Sequence, residues 1–215
     1  MQLKVRRLGN NIPYRPAYMA MQQFSAARDN TTIDEIWLLQ HPPTYTQGAN
    51  GQPQHLLNPN EIPIIEIDRG GQVTYHGPGQ WIIYLLLDIR RMHMGVRELV
   101  SRMERSVIKL LARFNIDAAA RSDAPGVYVD GAKIAALGLK IKRGYCYHGL
   151  SLNVAMDLSP FEGINPCGYQ GLEVTDMQRL GVAIPQEEIA EQLIELLSDE
   201  LGFKKMIDAG NRLPD

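Results

Sequence analysis

Cysteine is scarce in this chain, with two in 215 residues, Cys146 and Cys167. The two could in principle pair, but an intracellular chain with a large apolar core has little use for a disulfide, and their spacing is not that of a zinc site. Each thiol is therefore either core filler or a reagent in its own right. Long apolar runs are also missing. The longest, Trp81 to Leu87, falls far short of the roughly 18 residues that span a bilayer, so no membrane association is expected. The basic start Met1 to Arg7 has no apolar segment behind it and does not read as a secretion signal, which points to the cytoplasm. Excess charge of one sign is absent as well. A formal net charge of −2 gives no basic field for nucleic acid, and the cluster Lys140, Lys142 and Arg143 reads as a solvated strand end. No Walker-type phosphate loop, Gly-x-Gly-x-x-Gly, His-Glu-x-x-His or Cys-x-x-Cys occurs, so neither nucleotide nor metal has support as a cofactor.

The composition, 45% hydrophobic and 21% charged, suits one domain over 1–215 with a sizeable core. Strands are expected at Leu3 to Leu8, Asp34 to Gln40, Ile64 to Ile67, Trp81 to Leu87, Ile116 to Ala120, Gly126 to Val129, Lys133 to Ile141 and Tyr145 to Val154. Asp130-Gly131 is the turn of a hairpin. Helices are expected at Ala17 to Arg28, at Gly95 to Arg113 with its stripe Val96, Leu99, Val100, Met103, Val107, Leu110 and Leu111, and after Pro185 up to Gly202. Pro42 and Pro43 open a loop through Gly48, Ala49 to Asn60 reads as a mobile surface loop, and Asp157 to Gly171 as a structureless one. Strands and helices out of strict alternation give an α+β class: a mixed β-sheet with flanking helices.

Chemistry concentrates in a few places. Arg69 to Gln80 holds an Arg and a His among Gly and Pro, which suits either a binding site or a tight turn. Cys167, in Asn165-Pro166-Cys167-Gly168-Tyr169, is a loop thiol open to substrates, whereas Cys146 lies inside a strand and reads as core. Lys133 shares a strand face with Ala135, Leu137, Leu139 and Ile141. Buried there, it would lose basicity and take a proton from a thiol; at a strand start, a lysine more often snorkels to solvent. His76 and His148 are further candidate bases, or satisfied hydrogen-bonding histidines. Backbone amides near Gly77 to Gly79 or Gly149 to Ser151 are candidate oxyanion donors.

Four segments in order, Leu38 to Gly48, Arg69 to Gln80, Lys133 to Ile141 and Gly163 to Gly168, together resemble the bacterial octanoyltransferases (lipoyl(octanoyl) transferases) over nearly the whole chain. The resemblance implies a fold like that of biotin and lipoate protein ligases. It also implies transfer of an octanoyl group from octanoyl-acyl carrier protein to a lysine of lipoyl domains, those of 2-oxoacid dehydrogenases and the glycine cleavage H protein, without ATP or another cofactor. Cys167 matches the family's nucleophile and Lys133 the lysine that lowers its pKa. The binding segments fall on Arg69, Gly70, Gly71, Gln72, Val73, Thr74, Tyr75 and His76, on Ala136, Leu137 and Gly138, and on Gly149, Leu150 and Ser151. Ala136 and Ser151 stand where relatives carry other small residues. An eight-carbon chain needs a narrow apolar slot, for which Tyr75, His76, Leu137 and Leu150 are the expected lining.

Overall fold

The structure is a computed structural model that describes residues 1–214, with every side chain among them except that of Cys167. In chain order the elements are β1 (Gln2–Gly9), α1 (Tyr14–Ala27), β2 (Asp34–Leu39), β3 (Thr44–Gln47), β4 (Ile64–Glu66), β5 (Val73–His76), β6 (Gln80–Asp88), α2 (Val96–Ala112), β7 (Ala119–Ala120), β8 (Gly126–Val129), β9 (Ala132–Lys142), β10 (Tyr145–Asn153), α3 (Gln186–Glu200) and β11 (Lys205–Asp208). An eight-stranded sheet runs β11-β1-β2-β6-β10-β9-β8-β7, and a three-stranded sheet runs β4-β3-β5. β1 is parallel to β11 and β2, while β2 to β8 pair antiparallel, so the main sheet is mixed.

The main sheet is covered on both faces, which explains why β6 is an unbroken apolar run rather than an alternating one. Its Ile83, Leu85 and Leu87 pack with Leu99, Met103 and Val107 of α2 and with Ile189, Leu193 and Leu197 of α3. The alternate residues Ile82, Tyr84 and Leu86 pack on the other face against Ala17, Ala20 and Met21 of α1. Cys146 is fully buried in the first of these cores, and burial pushes its thiol pKa well above the ordinary value. It is core filler.

Several expectations need correction. α1 begins at Tyr14 rather than Ala17, because Pro16 falls in the first turn, where its missing N–H has no intrahelical partner to lose. Thr44 to Gln47 is a strand: Pro42 and Pro43 precede it and remove no ladder bond. Val73 to His76, given no strand within the polar stretch Arg69 to Gln80, is strand β5 of the small sheet. Ile116 to Ala120 shrinks to Ala119–Ala120, since the Ile116 amide turns back to the carbonyl of Leu111. The polar loop 49–60 is pinned: Leu57 and Asn58 donate to the Gly163 carbonyl, and Asn165 donates to that of His55. The segment 157–171 carries two 3-10 turns, Ser159–Gly163 and Pro166–Gly168. β11 had no visible signal, because Lys205 to Asp208 is half polar and only edges the sheet.

Candidate functional site

The segment after β4 crosses the main sheet over β9. Gly70 N–H donates to the Leu139 carbonyl at 2.9 Å. Gly138 lets it settle there: a Cβ at that position would stand 2.8 Å from Arg69 Cδ and 3.3 Å from the Gly70 carbonyl oxygen. Arg69 is itself locked, with Nη2 donating to both the carbonyl and Oγ1 of Thr46 at 2.9 Å. Between this segment and the sheet lies a slot of about 490 Å³, its open mouth included.

Of the expected binding residues, Arg69, Gly71, Gln72, Thr74, His76, Ala136, Leu137, Gly138, Gly149, Leu150 and Ser151 all border the slot. Gly70 lines an adjoining cavity. Val73 and Tyr75 do not border the slot, because alternate residues of β5 leave opposite faces; both pack with Tyr45, Phe161 and Ile164. Tyr75 is therefore not slot lining, while His76 is. Leu137 and Leu150 border the slot, yet Leu150 belongs to the core under the sheet and Leu137 packs against it.

Lys133 is only 3% exposed and does not snorkel. Its Nζ donates to the Pro125 carbonyl at 3.3 Å and lies 5.2 Å from the centre of the Tyr128 ring. Lys133 lines two cavities that adjoin the slot. One shares Thr74, Ala136 and Ser151 with it and includes Pro166. The other shares Gly71, Gln72, Leu137 and Gly138 with it and includes Tyr169. The residues flanking Cys167 thus border the same space as Lys133. Gly168, at φ +83°, seats this turn against Gln72, whose Nε2 would stand 2.5 Å from any Cβ there. The Cys167 side chain itself lies outside the described residues.

Neither histidine is a free base. His76 Nδ1 lies 2.8 Å from Gln80 Oε1, which can only accept, so the proton sits on Nδ1; Nε2 then accepts from Thr46 Oγ1 at 3.2 Å. Gln80 Nε2 continues the chain to Asn153 Oδ1 at 2.9 Å. Burial pushes the His76 pKa down to about 3. His148 Nε2 lies 3.1 Å from Asp68 Oδ1, and burial lowers its pKa against the pull of that carboxylate. Of the suggested oxyanion donors, those of Gly79 and of Gly149 to Ser151 are occupied, and Pro78 has no N–H. Gly79 N–H donates to Gln40 Oε1 at 2.8 Å, and Gly149 to Ser151 lie in β10, paired with β6 on one side and β9 on the other.

Sequence reading missed part of the wall of the slot. Tyr14 and Tyr84 line it, and Tyr84 donates to His41 Nε2 at 2.6 Å, while His41 Nδ1 donates to the Ile12 carbonyl at 2.6 Å. Burial holds this group neutral: the His41 pKa falls to about 4, and that of Tyr14 rises to about 12. His41 stood in the quoted segment 38–48, but beside Pro42 and Pro43 it signalled only a turn. Glu104 of α2 was missed as well. It accepts from Gly126 N–H at 3.0 Å, its pKa is raised by burial, and the field of Lys133 opposes that shift. No cluster of His, Cys, Asp and Glu suited to a metal ion stands among the described residues, and none of their helices is long and apolar enough to cross a membrane.

Residues 15–198 match the family described as lipoyl protein ligase A/B catalytic domain. The octanoyltransferase of Stutzerimonas stutzeri is 59% identical over 199 residues, 93% of this chain and 90% of that one. The octanoyltransferase of Chromobacterium violaceum is 54% identical over 201 residues, 94% and 97% of the two chains. Among solved structures, lipoate-protein ligase A bound with ATP superposes with a TM-score of 0.81 at 14% identity, over 98% of this chain and 89% of that one. Biotin protein ligase from Aquifex aeolicus, in complex with biotin and ATP, gives 0.60 at 11% identity, over 92% and 70%. The expected α+β, ligase-like fold is therefore the observed one, and the chain belongs to the lipoyl protein ligase A/B catalytic family, as an octanoyltransferase.

Proposed function

We propose that residues 1–215 act as one cytoplasmic catalytic domain that moves an octanoyl group from octanoyl-acyl carrier protein to a lysine of lipoyl domains, those of 2-oxoacid dehydrogenases and the glycine cleavage H protein, through a thioester on Cys167. The observation that carries this reading is the burial of Lys133 in the same space that Pro166 and Tyr169 border.

A lysine in an apolar setting gives up its proton more readily than one in water, so Lys133 takes the proton of the Cys167 thiol and its ammonium then steadies the thiolate. The thiolate attacks the thioester carbonyl, the new S–C bond forms, and the carrier leaves as a thiol that takes the proton back from Lys133. The Lys133 ammonium is the charge that faces the developing oxyanion. The neutral lipoyl-domain amine then attacks the acyl-enzyme carbonyl and passes a proton to Lys133. The C–N bond forms, the C–S bond breaks, and Lys133 hands that proton to the Cys167 sulfur, which restores the thiol and the neutral lysine. A thioester is already activated, so the cycle needs no ATP. The slot takes the hydrocarbon tail, at roughly 0.8 kcal/mol per buried methylene.

The likeness to an ATP-bound ligase makes ATP-driven activation of free lipoate the rival. Incubation of the protein with a lipoyl domain and either octanoyl-acyl carrier protein alone or lipoate with ATP separates them. Octanoyl-lysine from the first mixture and no acylated lysine from the second is the expected result. The reverse, or free octanoate with no acylated domain, overturns the proposal.

A further inference from the structure

Tyr147 and His148 are consecutive residues of an extended strand, so their side chains ought to leave opposite faces of the sheet. They share one. Their rings stack with centroids 5.1 Å apart, and both reach the Asp68 carboxylate: Tyr147 Oη donates to Oδ2, and His148 Nε2 stands 3.1 Å from Oδ1. The cause is the backbone of His148, held at φ +62° in the middle of β10. That is the left-handed region, where a residue other than glycine is strained and persists only because its surroundings fix it. The pairing of β10 with β9 keeps one register through this point. On the other side the ladder with β6 skips Tyr147 and His148, and the inversion turns the imidazole onto the α1 face, where Tyr18 stacks on it at 5.5 Å.

The ring stands between two cavities. Two pairs of adjacent residues each give one member to either side: Arg69 and His148 line the slot, whereas Asp68 and Tyr147 line a second cavity of about 920 Å³, open to solvent, beyond it. The slot meets the cavity containing Lys133 at Ala136 and Ser151. From Ser151 to His148 is three strand residues, roughly 10 Å, which is the reach of an extended eight-carbon acyl chain.

We propose that His148, held on the α1 face by its left-handed backbone and by Asp68, is the end stop that sets the length of acyl chain this enzyme accepts. A longer chain meets the imidazole, and the second cavity begins at its neighbours Tyr147 and Asp68. The proposal rests on the reading of the slot as the acyl site.

His148→Gly tests it, because glycine adopts φ +62° without strain and removes the stop. Rates of transfer are measured with octanoyl- and dodecanoyl-acyl carrier protein, and binding of free octanoate and dodecanoate is measured by calorimetry. The expected result is a dodecanoyl-to-octanoyl ratio raised by about tenfold or more in both measurements. Asp68→Ala, which unties the ring without deleting it, is expected to raise the same ratios by a smaller factor, and it carries the test if His148→Gly does not fold. Unchanged ratios overturn the proposal. If the wild type binds octanoate yet transfers no acyl group, the functional reading fails while the calorimetric ratios still decide the role of His148.

Discussion

The Lys133 ammonium stands 3.3 Å from the Pro125 carbonyl oxygen and 5.2 Å from the centre of the Tyr128 ring, in a side chain almost closed to water. A carbonyl and a π-face both favour the charged amine, while burial favours the neutral one. The proposed mechanism asks this amine to take and return a proton in every cycle. Lys133→Arg keeps the charge but cannot release it. Acyl transfer is expected to fall by about 10² to 10⁴-fold, with the thermal melt of the variant as the check on folding. A fold-intact Lys133→Arg enzyme working near the wild-type rate would remove Lys133 from the proton path.

His41 and His76 fix the acid side of stability. Their pKa values of about 4 and 3 in the folded chain lie below the ordinary value near 6.5. The unfolded chain therefore binds more protons between about pH 6.5 and pH 4, and stability drains away as pH falls through that window. At pH 5 the loss is about 2 kcal/mol for each histidine, by the same linkage. Glu104, whose pKa burial raises, works in the opposite direction. Urea unfolding at pH 7.5 and pH 5 checks the sum, and equal stability at the two values would show that these imidazoles are not buried neutral.

Gly138 admits the Arg69 crossing over β9, and a Cβ there would stand 2.8 Å from Arg69 Cδ. Gly138→Ala is expected to lift the 69–71 segment and widen the slot, lowering kcat/KM for octanoyl transfer by about ten- to a hundredfold. Steady-state kinetics report it. Wild-type kinetics in this variant would mean that the segment does not position substrate.

Gln80 accepts from His76 and donates to Asn153 Oδ1, all three being buried. Gln80 Nε2 also donates to the Tyr75 carbonyl, so Gln80→Leu removes the bonds to one donor and two acceptors and is expected to cost about 2 to 5 kcal/mol. Calorimetric melting measures this, and a cost below about 0.5 kcal/mol would contradict the neutral, fully bonded state assigned to His76.

The parts of this protein legible in its sequence are those governed by periodicity. The stripe of α2, the run of β6 and the Asp130-Gly131 hairpin, with φ values of +49° and +87°, follow from local rules. Lys133 was recognisable as an oddity on an apolar face, but whether it snorkelled depended on Tyr128, Pro125 and α2 closing around it. Tyr75 was placed in the slot because no strand was assigned to 73–76, so its alternation went unused. His148 could not have been placed at all. A left-handed residue inside a strand leaves no mark on the hydrophobic pattern, and its contact with Asp68 joins positions 80 apart in the chain. Tyr14, His41 and Tyr84 likewise come from three separate elements and meet only in the folded chain.

The central claim is covalent catalysis through Cys167, and the intact mass of the protein after mixing with octanoyl-acyl carrier protein, with no acceptor present, tests it most directly. The wild type is expected to gain one octanoyl group, released by hydroxylamine and by addition of a lipoyl domain, and Cys167→Ala is expected to gain none. A wild type that stays unmodified while still acylating the lipoyl domain, or a Cys167→Ala protein that carries the same label, would contradict the account.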